Sequence, residues 1–316
     1  MGQQLWVTDS LGGFLGNAKL SKQIRFAAQP IQKFRQFCRV KGALGKNRND
    51  TLIFDKVRNI DTQGGTLVET DTIPEHQATI GQGTLTITEY GNAIPYSGKL
   101  DALAEFDVDN VVTVSLRNDQ SKVLDLGVSD QFLACELKYL AVATTSFDLA
   151  TVASGSAAAG SETATTGLNE YHVRKIVDLL KKGSVPFYDG ADMCCIGSVD
   201  AMSSLKDAPD WVDAAKYGDP ERLFSGEVGR FYGCRFVEEN HVLSNTQGSG
   251  ADMGEAVFFG AEACMEGVAI PEELRAKIPT DYGRSQGVAW YALLGWKKIW
   301  DVAADAEPHI IHFNAF

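Results

Sequence analysis

The sequence predicts an α+β protein in which a basic N-terminal arm and a long extended hairpin are attached to a larger body. Three observations predict this class. The first 50 residues carry nine Lys or Arg against two Asp, although the 316-residue chain has a net charge of −12. A stretch without Lys or Arg follows at 59–98. Beyond it, helical periodicity alternates with short strand-like runs.

The arm has helical order. Its apolar residues recur at spacings of three and four, at Leu20, Ile24, Ala27, Ile31, Phe34 and Cys38. Because proline is tolerated in the first turn of a helix but not in its interior, Pro30 predicts two short amphipathic helices, at about 18–29 and 30–39. The basic residues lie mostly on the other faces: Lys22, Arg25, Lys33, Arg35 and Arg39. Packing on an acidic protein surface is favoured over binding to a membrane surface.

The next segment is the electrostatic opposite of the arm. Strand-like runs at 51–57 and 84–90 flank a middle that is broken by Gly64, Gly65, Gly81 and Gly83. This pattern predicts a long two-stranded excursion with an irregular tip. A two-stranded ribbon is marginally stable alone, so we expect this one to lie on another chain.

The body begins with the clearest helical pattern in the sequence. Apolar residues from Val108 to Leu140 fall on one side of a helical wheel, which predicts one very long helix with a kink site at Gly127. Residues 144–167 are rich in Ala, Ser, Thr and Gly and predict a loop or loose strand. A second helix is predicted over 168–182, with Gly183 just past its end.

The remainder of the body alternates short elements. Strands are predicted at 192–197, 233–238 and 256–260, and helical pieces at 199–206, 209–217 and 271–277. The last thirty residues are aromatic and strand-like, so we expect them to return to the core.

No catalytic signature is present in the sequence. Gly226, Gly229 and Gly233 lack the spacing of a dinucleotide loop and precede a strand-like run, so they predict a turn feeding a strand. His309 and His312 would point to opposite faces of a strand, which disfavours a shared metal ion. The six cysteines form no C-x-x-C pair and are typical of buried thiols in a reducing compartment. We therefore predict no catalytic residue, cofactor or metal, and an assembly or binding role rather than an enzyme.

Two bulk properties narrow the location and the partners. Neither a membrane span nor a signal peptide is predicted, so we expect a cytoplasmic protein. The net negative charge argues against a surface that grips nucleic acid throughout.

The order of the parts resembles the major capsid protein of tailed phages, with a coat fold of the Hong Kong 97 type. Three stretches also resemble the coat family named after phage N-four: KLSKQIRFAAQPI at 19–31, TLTITEYGNAIPY at 84–96 and GEVGRFYGCRFVE at 226–238. The resemblance implies a basic N-terminal arm at 1–50, an E-loop hairpin at 51–98, a P-domain with a spine helix at 99–167, an A-domain at 168–285 and return strands at 286–316.

The resemblance also implies a function and partners. It implies a structural protein that self-assembles, as hexamers and pentamers, into an icosahedral shell enclosing double-stranded DNA without reading its sequence. A scaffolding protein, a portal and a cement protein are the further partners it suggests, with the virion capsid as the location after assembly in the host cytoplasm. An enzyme whose site is assembled only by the fold, and a phage decoration or receptor-binding protein, remain the alternatives.

Subunit contacts follow as a hypothesis from the charge asymmetry. Lys22, Arg25, Lys33, Arg35 and Arg39 of the arm are expected to clamp acidic surface on an adjacent subunit, including Glu69, Asp71 and Glu75 of its hairpin. Some capsid proteins of this type cross-link a hairpin lysine to a neighbouring asparagine. No lysine lies between Asn59 and Gly98, so noncovalent cohesion is expected here.

Overall fold

The computed structural model describes residues 28–30, 32–41, 50–58, 65–69, 72–73, 75, 77–104, 107–153, 164–207, 229–247, 253–279, 281–282 and 284–314. The strands are β1 (Arg39–Lys41), β2 (Thr51–Val57), β3 (Ile80–Thr86), β4 (Thr88–Ser97), β5 (Leu137–Ala143), β6 (Ser146–Thr151), β7 (Met193–Ser198), β8 (Arg230–Phe231), β9 (Cys234–Glu239), β10 (Ala256–Phe259), β11 (Cys264–Ala276), β12 (Ser285–Lys298) and β13 (Ile310–Phe313). The helices are α1 (Gly98–Leu103), α2 (Val108–Leu133), α3 (Glu170–Lys182), α4 (Val199–Lys206) and α5 (Val302–Asp305).

The described strands form three sheets. Seven strands follow the order β6-β5-β13-β10-β7-β9-β8, four follow β1-β11-β12-β4, and β2 pairs with β3 alone. In the seven-stranded sheet, β7, β10 and β13 are buried at every residue. A strand covered on both faces reads as an almost continuous apolar run, which explains why these segments were predictable as strands.

The helices cover the two faces of the seven-stranded sheet. Met193 and Cys195 of β7 pack in one apolar cluster with α3 and α4, whereas Cys194 and Ile196 pack in another with α2. This alternation is the period of two expected along a strand. Helix α2 also contacts β12 of the four-stranded sheet, so it lies between two sheets.

Helix α2 is shorter than predicted. It ends at Leu133, and Leu137 and Leu140 belong to the buried strand β5. A strand that is apolar at nearly every position matches a helical period by chance, which extended the prediction too far. Gly127 has a different role from the predicted kink, because a Cβ there would lie 2.3 Å from a ring carbon of Trp296. The glycine lets the helix approach the sheet closely.

The arm also departs from the prediction. Residues 35–37 form one turn of 3-10 helix, and Arg39–Lys41 is a strand parallel to β11, so the helix predicted over 30–39 is wrong. The physical reason is that Phe34 enters the apolar cluster around α2, and its backbone N–H bonds to a side chain instead of a helical carbonyl. The predicted helix over 18–29 falls outside the described residues, apart from residues 28 and 29, which are in no helix.

Two further predictions need correction. The segment at 271–277 is part of β11 rather than a helix, and Pro271 lies where the register with β12 shifts, so its missing N–H is tolerated. The strand predicted at 84–90 is divided at Ile87, where the chain leaves β3 and enters β4 of another sheet. The helix predicted over 209–217 falls outside the described residues.

Other predictions are confirmed. Helix α3 ends at Lys182 with Gly183 as its C-cap, although φ is −74° there rather than left-handed. Helix α4 has the predicted bounds. The predicted loop or loose strand contains β6, and the last residues return to the core through β12 and β13. Among the described residues, no helix combines the length and apolar character needed to cross a membrane.

The glycine-rich stretch around Gly233 forms a tight turn that feeds a strand. Tyr232 has φ +47° and Gly233 has φ +75°, and these two residues join β8 to the antiparallel β9. Positive φ at both central residues is the geometry that matches the twist of a hairpin. The predicted turn is confirmed, whereas Gly226 lies outside the described residues.

Candidate assembly surfaces

A buried polar junction holds the described part of the arm on the body. The backbone N–H of Phe34 donates to Asp125 Oδ1 of α2 at 2.9 Å, and His241 Nδ1 lies 3.4 Å from the other carboxylate oxygen. Burial raises the pKa of Asp125, although hydrogen bonds from the Arg35 backbone and from His241 oppose that shift. The junction therefore ties the arm to the long helix.

Glu239 completes this cluster. Its carboxylate accepts the backbone N–H groups of Val242 at 2.9 Å and Leu243 at 3.2 Å, and also that of His241. One ligand atom each from Asp125, Glu239 and His241 lie within 4.8 Å of one another, a spacing at which a divalent ion could be held. Because backbone N–H groups already occupy both Glu239 oxygens, the arrangement is that of a structural junction. It could not be predicted from the sequence, because its members come from α2, from the last residue of β9 and from the loop that follows.

The arm residues predicted to contact a neighbour are partly engaged within the chain. Arg35 bridges Glu266 at 3.0 Å and Glu272 at 2.8 Å, both on β11. Burial would lower the pKa of Arg35, but the hydrogen bonds to Glu272 and Glu266 outweigh it and raise the pKa. Arg39 pairs with Glu262 on the surface.

The other three basic residues that were predicted to contact a neighbour are Lys22, Arg25 and Lys33. Lys33 is half-buried. Lys22 and Arg25 lie outside the described residues. The structure thus brings two of the five predicted cations onto acids of the same chain.

The predicted acidic partners lie beyond the β2–β3 pair. Glu69 and Glu75 are exposed, whereas Asp71 lies outside the described residues. Exposed apolar side chains accompany them, including Leu67 and Ile73. The described part of this segment therefore presents both negative charge and apolar surface to its surroundings.

The base of the hairpin is anchored by a buried ion pair. Lys56 Nζ of β2 lies 2.5 Å from Asp305 Oδ2, and Arg58 donates to the other oxygen at 2.9 Å. Burial alone would raise the pKa of Asp305, but the bonds from Lys56 and Arg58, with one from the Asp301 backbone, lower it. The expectation that the ribbon lies on another chain is therefore corrected for its base, which rests on its own body.

Apolar contact reinforces this anchor. The Phe54 ring lies across β3 against Gly83, where a Cβ would be 2.3 Å from a ring carbon. Phe54 and Leu85 form a small cluster with Met265 and Ile299 of the body. The hairpin base thus has its own small core, separate from the two larger clusters.

A groove separates β1 from β2. It encloses about 500 Å³ and is lined by both strands, with Glu262, Met265, Ile299 and Trp300 as the other walls. Arg39, Lys41 and Lys56 line the groove together with Asp55 and Glu262, and Arg39 and Lys56 are already paired with acids of the chain. Lys41 therefore gives the groove a small excess of positive charge, beside the exposed Val40 and Val57.

Comparison with solved structures identifies the fold. The acid-stable capsid of Helicobacter pylori bacteriophage KHP30 matches with a TM-score of 0.68 at 12% identity, over 99% of both chains. This chain has a phage capsid fold. The capsid of Ralstonia phage GP4 matches at 0.66 and 16% identity over 99% of both chains, and that of cyanophage P-SCSP1u at 0.67 and 11% over 98% and 97%. The predicted α+β class, with a fold like the Hong Kong 97 type, is confirmed.

The sequence itself gives no independent match. No protein-family model matches the chain, and no curated protein matches it. At such low identities, the similarity to the capsid structures establishes the fold.

Proposed function

We propose that this chain is the structural coat subunit of a tailed-phage capsid, which self-assembles into an icosahedral shell around double-stranded DNA. The observation that carries the proposal is the similarity to capsid structures over 99% of both chains. Each of these matches is a capsid structure, so we propose a structural role rather than an enzymatic one. We also place the chain in the coat family named after phage N-four.

The parts of the subunit follow from this proposal. Residues 51–98 act as the E-loop, 99–167 as the P-domain with α2 as its spine, and 168–285 as the A-domain. The subunits meet as hexamers and pentamers, with a scaffolding protein, a portal and a cement protein as further partners. Assembly takes place in the host cytoplasm, and the product is the virion capsid.

The proposed cohesion is noncovalent and partly electrostatic. The exposed apolar residues near the hairpin tip and its acids, including Glu69 and Glu75, are suited to basic and apolar surface on a neighbouring subunit. The groove that Arg39 and Lys41 line is one such surface. Exposed ion pairs weaken as salt screens them, so shells held this way should loosen when salt is added.

The first test is light scattering behind size exclusion, with negative-stain electron microscopy of the peak, at low and high salt. Hexamers, sheets or shells support the coat function. A compact monomer at high concentration, even with a scaffolding protein supplied, would contradict the coat function and favour the enzyme alternative. Shells that disassemble independently of salt would contradict the electrostatic clamp alone.

A matched pair of variants separates the hairpin from the body. Glu69→Lys reverses an exposed charge near the tip, and Asp178→Lys makes the same change on the exposed side of α3. The proposal expects Glu69→Lys to reduce the yield of assembled particles severalfold and Asp178→Lys to leave it near wild type. Equal yields would contradict a role for the hairpin acids.

A further inference from the structure

Two of the six cysteines meet where the arm joins the sheet. Strand β1 runs parallel to β11 with Arg39 opposite Met265, so the preceding residues, Cys38 and Cys264, are also neighbours. Residues directly opposite in a ladder project to the same face. The Cys264 thiol is the main cause of the raised pKa of Cys38, as expected for two thiols on neighbouring strands. Both cysteines are free thiols in the structure.

The position of this pair is unusual among the cysteines of the chain. Cys264 is buried, but Cys38 is only half-buried, whereas the four other cysteines are all buried. A small oxidant can therefore reach the pair from the Cys38 side. Neighbouring strands are about 4.8 Å apart, and the Cα atoms of a disulfide are usually about 4.4–6.8 Å apart, so a bond requires little backbone movement.

We propose that Cys38 and Cys264 form a redox-dependent latch, which closes as an intrachain disulfide and fixes the arm to β11. The oxidant is a low-molecular-weight disulfide such as oxidised glutathione. One thiolate attacks it, forming a mixed disulfide and releasing one reduced thiol, and the second cysteine then displaces the other. The protein loses two protons and two electrons, and one molecule of disulfide is reduced to two thiols.

A disulfide at this position would strengthen the attachment of the arm to β11. Strand β1 has only three residues, all exposed, and the described arm is otherwise held by Phe34 and Phe37 in the apolar cluster, by the Asp125 junction and by ion pairs of Arg35 and Arg39. A bond between residues 226 positions apart would also restrict a large part of the unfolded chain. The Cys264 thiol and burial raise the pKa of Cys38, so closure should be slow at neutral pH and faster at alkaline pH. The reducing cytoplasm keeps the latch open, and an oxidising medium closes it.

The test uses the full-length folded chain after incubation with oxidised glutathione or with a reducing agent. Remaining thiols are then alkylated under denaturing conditions before digestion with trypsin. Cys38 falls in the peptide of residues 36–39, and Cys264 is the single cysteine of residues 236–275. The latch predicts a linked species of these two peptides, two hydrogen masses below their sum, that is present only after oxidation. Alkylation of both cysteines in the oxidised sample, or linkage of either one to another cysteine, would overturn it.

Variants supply the functional readout. Oxidation should raise the thermal midpoint of the wild-type chain and of the control Cys135→Ala, whose thiol bonds to a backbone carbonyl. Oxidation should leave the midpoint of Cys38→Ala unchanged. An equal rise in Cys38→Ala would overturn the assignment. The peptide mapping requires no assembly, so its failure leaves the proposed coat function untouched, and failure of assembly leaves the latch testable.

Discussion

The seven-stranded sheet and the β2–β3 hairpin use apolar residues in opposite ways. In the sheet, β7, β10 and β13 are buried at every position and lie between helices on both faces. On the hairpin, Ile53 is 56% exposed, Val57 64% and Ile80 62%. The comparison teaches that the described residues of the body bury their own apolar side chains, whereas the hairpin leaves apolar side chains exposed.

The largest expected change in the free energy of unfolding concerns the buried seven-stranded sheet. Phe258 of β10 is fully buried beside Phe236, so Phe258→Ala should lower the free energy of unfolding by about 4 kcal/mol. Ile53→Ala on the exposed face of the hairpin is the control and should change it by less than about 0.5 kcal/mol. Urea unfolding of the unassembled chain measures both. Similar losses in the two variants would break the comparison.

The next largest change in stability concerns the ion pair that joins the base of the hairpin to the body. Asp305→Ala leaves the buried Lys56 without its carboxylate and should cost about 3 kcal/mol. Adding Lys56→Met removes the stranded charge, so the double variant should regain most of that loss in the same urea experiment. A double variant as unstable as Asp305→Ala would show that the ion pair does not anchor the hairpin.

A buried histidine of the body, His172, should make the free energy of unfolding depend on pH. Burial lowers the pKa of His172 to about 4. Since the unfolded chain binds this proton near pH 6.5, stability is lost as the pH falls from about 6.5 toward 4, on the order of 2 kcal/mol. The neutral ring bonds to the Tyr139 hydroxyl at 2.8 Å.

The measurement compares the wild type with His172→Gln. Their difference in unfolding free energy should shrink steadily as the pH is lowered through this window, because only in the wild type does unfolding expose an imidazole that then takes up a proton. Buried carboxylates such as Glu239 and Glu255 have raised pKa values and oppose acid destabilisation, but they are common to both proteins. A difference independent of pH would contradict the assignment to His172.

The smallest effect concerns the arm. Arg39 forms an exposed ion pair with Glu262, so Arg39→Ala should cost less than about 0.5 kcal/mol. Arg35 is more buried and holds two carboxylates, one of them the buried Glu266, so Arg35→Ala should cost about 2 kcal/mol. Thermal unfolding at low and high salt should show the larger salt dependence for the Arg39 pair. The reverse order would mean that the arm is held mainly at its surface.

The predictable parts of the fold are those in which local pattern and tertiary environment agree. Helix α4 has a Ser198 cap and an apolar face, and α3 has Asn169 and a strong apolar stripe, so both could be located from sequence. The segment at 271–277 resembles a helix start because proline precedes two glutamates, but pairing with β12 outweighs that local preference. Long-range pairing leaves no local signal.

The candidate surfaces were predictable only in their charge. The sequence separates basic from acidic segments, but it does not indicate that Arg35 is neutralised by Glu266, 231 positions away. The junction of Asp125, Glu239 and His241 was equally hidden, because its members are assembled by the fold. Asp125 is a buried acid on α2, but its burial is not visible in the sequence.

The change of sheet at Ile87 has a mechanical meaning. One residue separates β3 of the hairpin from β4, and β4 is joined to β12 by ten consecutive register pairs, from Ser285 with Ser97 to Leu294 with Thr88. A pull on the hairpin, of the kind expected if the chain forms the shell proposed above, would enter the four-stranded sheet through β4. When a strand ladder is pulled along its length, many hydrogen bonds carry the force at once. A force on the hairpin would therefore be resisted mainly by the β4–β12 pairing within the same chain.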